Sequence, residues 1–354
     1  MQTNKINPLR RFLFRIFRNN ETQIHDLSYL FWECTWRCNL ACKHCGSDCK
    51  SESYVVDMPF YDFLNAILPL SKNTQKNKIL IVITGGEPLL RKDLAECGKA
   101  LIDNGFRWGL VTNGMLYDEQ MHYKLLNSGL SSITVSLDGL EDSHNWLRNN
   151  PKSFSNALRA LKLIAKTPRL SYDAVTCVHQ RNIFELESMK EILLNNAILN
   201  WRIFTIAPIG RATNNKELQL SCEQLEYLFS FIAKTRIEKQ INLTFSCEAY
   251  AGKYEESIRD SYFFCRAGIN IGSVLIDGGI SACPNIDRSF VQGNIYQDKL
   301  LDVWENKFSA MRNRQWMKNG FCSKCKDFKQ CLGGAMHLRP SVYSEILRCY
   351  NFSN

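Results

Sequence analysis

Cys38-Asn39-Leu40-Ala41-Cys42-Lys43-His44-Cys45 follows directly on an apolar, strand-like run, Leu27–Cys34. The spacing C-x3-C-x2-C sets three thiolates on one loop, where they can wrap an iron–sulfur cluster. Four-iron clusters usually take four thiolates, so three leave one iron open to an outside ligand. Zinc is the rival, preferring four closed ligands, and His44 or Cys49 would complete such a set. The spacing alone leaves both readings open.

Downstream of this loop, short apolar runs alternate with helical patterns. The runs are Leu27–Cys34, Lys78–Thr84, Trp108–Thr112, Ser132–Leu137, Ala174–Val178 and Arg202–Ile206. Helical periodicity falls near 59–72, 93–104, 118–128, 154–167, 183–197 and 222–238. Six strand–helix repeats predict parallel βαβ units with right-handed crossovers. In a parallel barrel the loops at the strands' C-terminal ends hold the active site. Here those loops begin at Gly85-Gly86, Asn113-Gly114 and Asp138-Gly139. From about residue 240 the repeat gives way to short strands (Asn242–Phe245 and Ser273–Ile276), Gly-rich turns and seven widely spaced cysteines. That change predicts a smaller, loop-rich domain held by metal. The chain thus divides into an N-terminal helix (1–25), a barrel (26–240) and a C-terminal domain (241–354).

Of the 354 residues, 45% are hydrophobic and 22% charged, enough for a full core and unlike a disordered, collagen-like or coiled-coil chain. Fifteen cysteines, an odd count in a long chain with no visible signal peptide, argue against a secreted disulfide scaffold. A reduced cytosol is the expected compartment, where clustered cysteines bind metal or do redox chemistry. No run of 18 apolar residues is available to span a bilayer. The excess of 44 Lys and Arg over 35 Asp and Glu, +9, suits an acidic protein, an anionic substrate or a membrane surface. It is too diffuse to require nucleic acid.

The N-terminal run Pro8-Leu9-Arg10-Arg11-Phe12-Leu13-Phe14-Arg15-Ile16-Phe17-Arg18 places apolar residues at 9, 12, 13, 16 and 17, at helical spacing, with four interrupting arginines. A basic amphipathic helix of this kind can lie on an anionic membrane surface. With about three turns available, the expectation is instead that the apolar stripe packs on the protein's own body.

The second run ends in Thr84-Gly85-Gly86-Glu87-Pro88. Two glycines admit close backbone approach, and the Glu87 carboxylate and bare carbonyls accept hydrogen bonds from a ligand ammonium. Placed after a strand, about 40 residues beyond the cysteine triplet, the motif is more than a turn. With Thr112-Asn113-Gly114, Ser136-Leu137-Asp138-Gly139 and Pro208-Ile209-Gly210-Arg211-Ala212, it makes residues 27–212 resemble the radical S-adenosylmethionine (radical SAM) enzymes. The resemblance implies an α/β fold, a partial (β/α)6 barrel, with a 4Fe–4S cluster on Cys38, Cys42 and Cys45. The open iron would be chelated by the amino and carboxylate groups of SAM, whose reductive cleavage gives methionine and a 5′-deoxyadenosyl radical. It further implies Gly85, Gly86 and Glu87 as ligands of the SAM ammonium, Asn113 as a cofactor contact, and Ser136 and Asp138 as ribose or carboxylate contacts. Arg148 would pair with the SAM carboxylate, or else be a solvated helix arginine. His44 would stack near the adenine.

Cys265-x12-Gly278-x4-Cys283 and Cys322-x2-Cys325-x5-Cys331, with Cys349 later, resemble the SPASM extension of peptide-modifying radical SAM enzymes. In that family these residues ligate auxiliary iron–sulfur clusters. Cys322, Cys325, Cys331 and Cys349 match the full set of the outer cluster, with zinc as the structural alternative. The family continues C-x2-C-x5-C-x3-C, but here the last position is Ala335. The inner cluster keeps only Cys265 and Cys283, and is absent or completed by Cys247, His337 or substrate. After Cys283 stand Pro284 and Asn285, where sulfatase-maturing members have an aspartate base, which disfavours formylglycine formation. No separate peptide-recognition domain is expected before the barrel.

The expected function is therefore radical modification of a peptide or protein side chain, with electrons from a flavodoxin- or ferredoxin-type reductant. The expected location is the cytoplasm or the inner face of the membrane, since residues 8–18 resemble a bacterial subgroup encoded with lipoproteins. The alternatives are a non-catalytic iron–sulfur or zinc-binding adaptor, and a radical SAM enzyme acting on a non-peptide small molecule. Cys34, Cys97, Cys177 and Cys222 read as core residues and Cys49 as a spare thiol.

Overall fold

The computed structural model describes residues 7–70, 79–246 and 248–350; Ser71, Lys72 and Lys78, at the ends of two expected elements, and Cys247 lie outside them. Among the described residues, ten strands form one sheet. Its parallel part begins with β1 (Tyr29–Glu33), β2 (Leu80–Thr84), β3 (Arg107–Thr112), β4 (Leu130–Ser136), β5 (Ser171–Val178) and β6 (Asn200–Thr205). Alternate residues explain the layering. Trp32, Ile81, Ile83, Leu110, Ile133, Val135, Ala174 and Ile203 are buried in the main hydrophobic core.

The crossover helices are α2 (Phe60–Ile67), α3 (Leu94–Asp103), α4 (Glu119–Asn127), α5 (Glu141–Arg148), α6 (Ser153–Ala165), α7 (Leu186–Asn195) and α8 (Cys222–Glu238). Their apolar faces close over the sheet, as where Phe63 of α2 stacks on Trp32 at 4.6 Å. Helix α5 has no apolar stripe in the sequence to announce it. It is held from within, by buried His144 and Leu147.

The sheet does not stop where the sequence pattern changes. β7 (Asn242–Phe245) runs parallel beside β6, and β8 (Ile271–Val274) runs parallel beside β1. β9 (Gly279–Ser281) and β10 (Gly293–Asn294) add an antiparallel edge. The C-terminal region is thus joined to the barrel by continuous hydrogen bonding through β1, the strand that leads into the cysteine loop.

Helix α1 (Pro8–Ile24) is capped by Asn7 and forms over the expected residues. The expectation that its apolar stripe packs on the body is overturned. Leu9, Phe12, Leu13, Ile16 and Phe17 are exposed, and the arginine side turns inward. Arg10 donates to the Asp260 carbonyl, Arg11 to the Tyr250 hydroxyl, and Arg18 to the carbonyls of Lys329 and Gln330. Carbonyl acceptors on the body outcompete hydrophobic packing because they satisfy guanidinium donors as these leave water. Cys222 is likewise not a core residue. It is exposed as the first residue of α8, just after the N-cap Ser221. Cys34 and Cys97 are buried as expected.

Candidate functional site

The cysteine loop is fixed by backbone bonds at three points. Cys38 N–H donates to the Lys50 carbonyl at 2.7 Å, Lys43 N–H to Leu147 at 2.8 Å, and the Cys45 carbonyl accepts from Arg211 N–H at 3.0 Å. Two glycines make room for it. A Cβ on Gly86 would lie 2.2 Å from the Arg37 carbonyl oxygen, and one on Gly210 2.5 Å from that of Cys45. Gly86 N–H and Glu87 N–H also bond to the carbonyls of Thr35 and Arg37. The Gly85–Gly86 strip therefore lies directly against the chain leading into the triplet.

The Glu87 carboxylate is fully buried and faces inward. Oε1 accepts from Thr112 Oγ1 at 2.8 Å and Leu89 N–H at 3.1 Å, and Oε2 accepts from Asn113 N–H at 2.8 Å. Burial raises its pKa against these bonds. Its side chain ties the ends of β2 and β3 together. The half-buried Gly85 and Gly86 leave backbone there for a ligand. Asn113 continues the chain of contacts, donating to Asn39 Oδ1 at 2.8 Å, with its amide 4.0 Å from Cys38 Sγ.

On the opposite side, Arg148 at the end of α5 is buried, which rules out the solvated-helix reading. It bonds to Asp138 Oδ2, and its Nη1 lies 3.7 Å from Cys42 Sγ. Asp138 Oδ1 accepts from Cys177 N–H at 2.8 Å. Burial alone would raise the Asp138 carboxyl, but the Arg148 guanidinium and the Cys177 N–H hold it at about 2. The Asp138 side chain is thus engaged in aiming Arg148 at the cysteine loop. Ser136 sits half-buried at the end of β4. Enclosed and partnerless, His44 Nδ1 is an unsatisfied polar atom at this site, and burial keeps the ring neutral, with a pKa near 3.

The thiols differ. The S–H of Cys49 donates to Cys45, and with neighbouring N–H groups and Arg211 this holds the Cys45 thiol well below the usual thiol range. Cys49 thus supports a member of the triplet. Burial pushes Cys38 up to about 11 and raises Cys42. Zinc in a thiolate tetrahedron would bring sulfurs to about 3.8 Å of one another. Among the described residues, the group with three ligand atoms mutually within 4.8 Å is His44, Asp138 and Cys177, not the triplet. The triplet sulfurs are thus not set as closely as a zinc tetrahedron would set them.

The C-terminal cysteines carry a second signature. Arg339 is fully buried, donates to the carbonyls of Met317 and Ser344, and points Nη2 at Cys322 Sγ, 3.2 Å away. Buried Arg314 donates to the carbonyls of Met311 and Cys265, and buried Arg18 lies near Cys331. Among the described residues, none of these three arginines forms an ion pair with a carboxylate. Buried guanidinium groups need negative charge nearby. A cluster held by Cys322, Cys325, Cys331 and Cys349 would supply it. Sequence reasoning missed these arginines, which belong to no motif. Ala335 is fully buried, and its N–H bonds to the Glu248 carbonyl at 2.9 Å. Nearby Cys265 is buried and Cys283 half-buried, whereas burial holds His337 neutral, with a pKa near 4.

Comparison with known proteins agrees with this geometry. The Radical SAM superfamily profile matches residues 32–193, and that of SPASM, an iron–sulfur cluster-binding domain, matches 265–326. The chain is 25% identical over 323 residues to the AdoMet-dependent heme synthase of Methanosarcina barkeri, covering 85% of this chain and 89% of that protein. It is also 25% identical over 313 residues to the mycofactocin maturase MftC of Mycobacterium tuberculosis, covering 87% and 78%. Streptococcus suis SuiB bound to S-adenosylmethionine shares the fold at 17% identity, with a TM-score of 0.69 over 91% of this chain and 77% of that one.

Proposed function

Since the chain belongs to the radical SAM superfamily and carries a SPASM iron–sulfur cluster-binding domain, we propose that it modifies a side chain of a peptide or protein. The observation that carries this reading is a cleft of about 260 Å³ beside the cysteine loop, between Gly46, Gly210 and the turn Pro284–Arg288, with Glu33 and His337 on its walls. Sites that enclose drug-sized molecules run from about 300 Å³ upward. A cleft of this size takes one side chain of a larger substrate. The relative named mycofactocin maturase supports the reading. The heme synthase relatives favour a second one, a small-molecule substrate.

When bound, the cluster and SAM supply one-electron cleavage to a 5′-deoxyadenosyl radical, which removes a substrate hydrogen. Cys38, Cys42 and Cys45 would hold the iron. Gly85 and Gly86 would offer backbone to the SAM ammonium, with Glu87 and Asn113 fixing that strip. Arg148, aimed by Asp138, would offer charge to the SAM carboxylate and to the Cys42 sulfur. Ser136 stands at the strand end where a ribose would lie, and His44 Nδ1 is available to the adenine. Residues 26–240 would work as the catalytic barrel and 241–354 as the auxiliary-cluster unit.

An acidic one-electron carrier of the flavodoxin or ferredoxin type fits the +9 chain as reductant. No helix of the described residues is long and apolar enough to cross a membrane. Contact of residues 8–18 with a membrane surface belongs to this reading and is supported by the outward stripe of α1.

The test is anaerobic incubation of the reconstituted, reduced protein with SAM, followed by mass spectrometry of nucleosides and of a co-expressed candidate peptide. Formation of 5′-deoxyadenosine, lost in Cys42→Ala, together with a mass change in the peptide, is the expected result. Turnover that survives Cys42→Ala overturns the cluster assignment.

A further inference from the structure

Helix α1 is built with its polarity reversed relative to a helix packed on its own domain. Leu9, Phe12, Leu13, Ile16 and Phe17 are between 44% and 64% exposed, and they follow one another at i, i+3, i+4, i+7 and i+8. They form one continuous outward stripe. The helix cannot roll to bury it. Arg10, Arg11 and Arg18 anchor the inward side, Phe14 packs on Tyr262 and Phe264 at 5.3 and 6.4 Å, and Glu21 pairs with Arg266 at 3.0 Å. Exposed apolar surface held in place by polar tethers marks an interaction site.

The surroundings say what covers it. From Pro8 to Asn20 there is no acidic residue. Beside the helix runs a cleft of about 410 Å³ lined by Arg15, Arg18, Arg312, Arg314, Lys318 and Lys329, with no carboxylate among its lining residues. Lys318 and Lys329 are exposed at its mouth. A large apolar face flanked by cations is the arrangement of a helix lying in the interface of an anionic bilayer. A second copy of this chain fits less well, because a two-fold contact would bring the same cations face to face.

We propose that α1 docks this protein on an anionic lipid bilayer, with Leu9, Phe12, Leu13, Ile16 and Phe17 entering the acyl boundary and Arg15, Lys318 and Lys329 meeting lipid phosphates. This rests on the membrane contact included in the functional reading and names its lipid class and residues. It requires no radical chemistry.

The test is sedimentation of the full chain, its clusters assembled anaerobically, with vesicles of phosphatidylcholine alone or with about one-third phosphatidylglycerol. The expected result is binding to the anionic vesicles roughly tenfold or more above that to neutral ones, weakened by salt. The variant Leu13→Glu with Phe17→Glu should lose binding by at least about tenfold. The variant Arg15→Glu with Lys318→Glu should lose the preference for the anionic lipid. Both should cleave SAM at the parental rate, which shows that they fold. Equal binding to both vesicles overturns the anionic assignment while membrane contact stands. No sedimentation with either overturns both. A dimer that Leu13→Glu with Phe17→Glu dissociates, or binding to an acidic protein in place of vesicles, gives the face to another occupant and overturns the proposal.

Discussion

Arg148 Nη1 stands 3.7 Å from Cys42 Sγ, so one guanidinium of helix α5 joins the cysteine loop to the end of β4 through Asp138. The pair is enclosed, where charge interactions are stronger than in water.

Arg148→Met should therefore do two things. A hydrogen bond to a charged group is worth about 1.5–3 kcal/mol, so SAM affinity should fall roughly tenfold to a hundredfold. If Cys42 holds the cluster as proposed, removing the cation beside its sulfur should also make the cluster harder to reduce. Equilibrium binding of SAM and an electrochemical titration followed by electron paramagnetic resonance check both. Unchanged values in a folded variant would remove Arg148 from the site.

His144 makes a pH prediction. Its Nδ1 accepts from Asp138 N–H at 2.9 Å, so the ring proton sits on Nε2, 2.8 Å from Ser153 Oγ. Burial holds its pKa near 4, below the ordinary 6.5. An unfolded chain therefore takes up a proton at this ring before the folded one does. The stability it contributes is complete above about pH 6.5 and declines as the pH falls toward 4. Thermal unfolding of the parent at pH 7 and 5 should show the loss, and His144→Gln should flatten it. A variant with the parental slope would contradict the assignment.

The buried Arg339 predicts a link between iron and folding. Chelating the iron should leave Arg18, Arg314 and Arg339 without compensating charge, and lower Tm by about 5 °C or more. In Arg339→Met the drop on chelation should be smaller, and an equal drop would separate the arginine from the cluster. The intact protein should hold about eight irons, two four-iron clusters, because Ala335 leaves the inner set short. A count near twelve would show that other residues complete it.

The strand positions were legible because six apolar runs of strand length stand between helical patterns. β1, β2 and β5 lie inside or within three residues of the expected runs. The cysteine loop and Gly85–Glu87 were legible for a different reason: their spacing is chemical. What the sequence could not show was partnership. A hydrophobic stripe records periodicity but not the surface it meets, so α1 was expected face down. β7 and β8 were visible as short strands, but the barrel strands they pair with lie 42 and 242 positions away in register, as with Asn200–Asn242 and Tyr29–Ile271. Arg339 was invisible because a buried cation has meaning only beside its anion.

The parallel pairing of β8 along β1, from Tyr29–Ile271 to Trp32–Val274, has a consequence for dissection of the molecule. A fragment ending before Ile271 would strip one flank of the strand that leads into the cysteine loop. Its naked amide and carbonyl groups would recruit strands from other fragments, and such a preparation should precipitate. The C-terminal segment is thus a structural partner of the first strand, and an excised barrel is a poor surrogate for the whole enzyme.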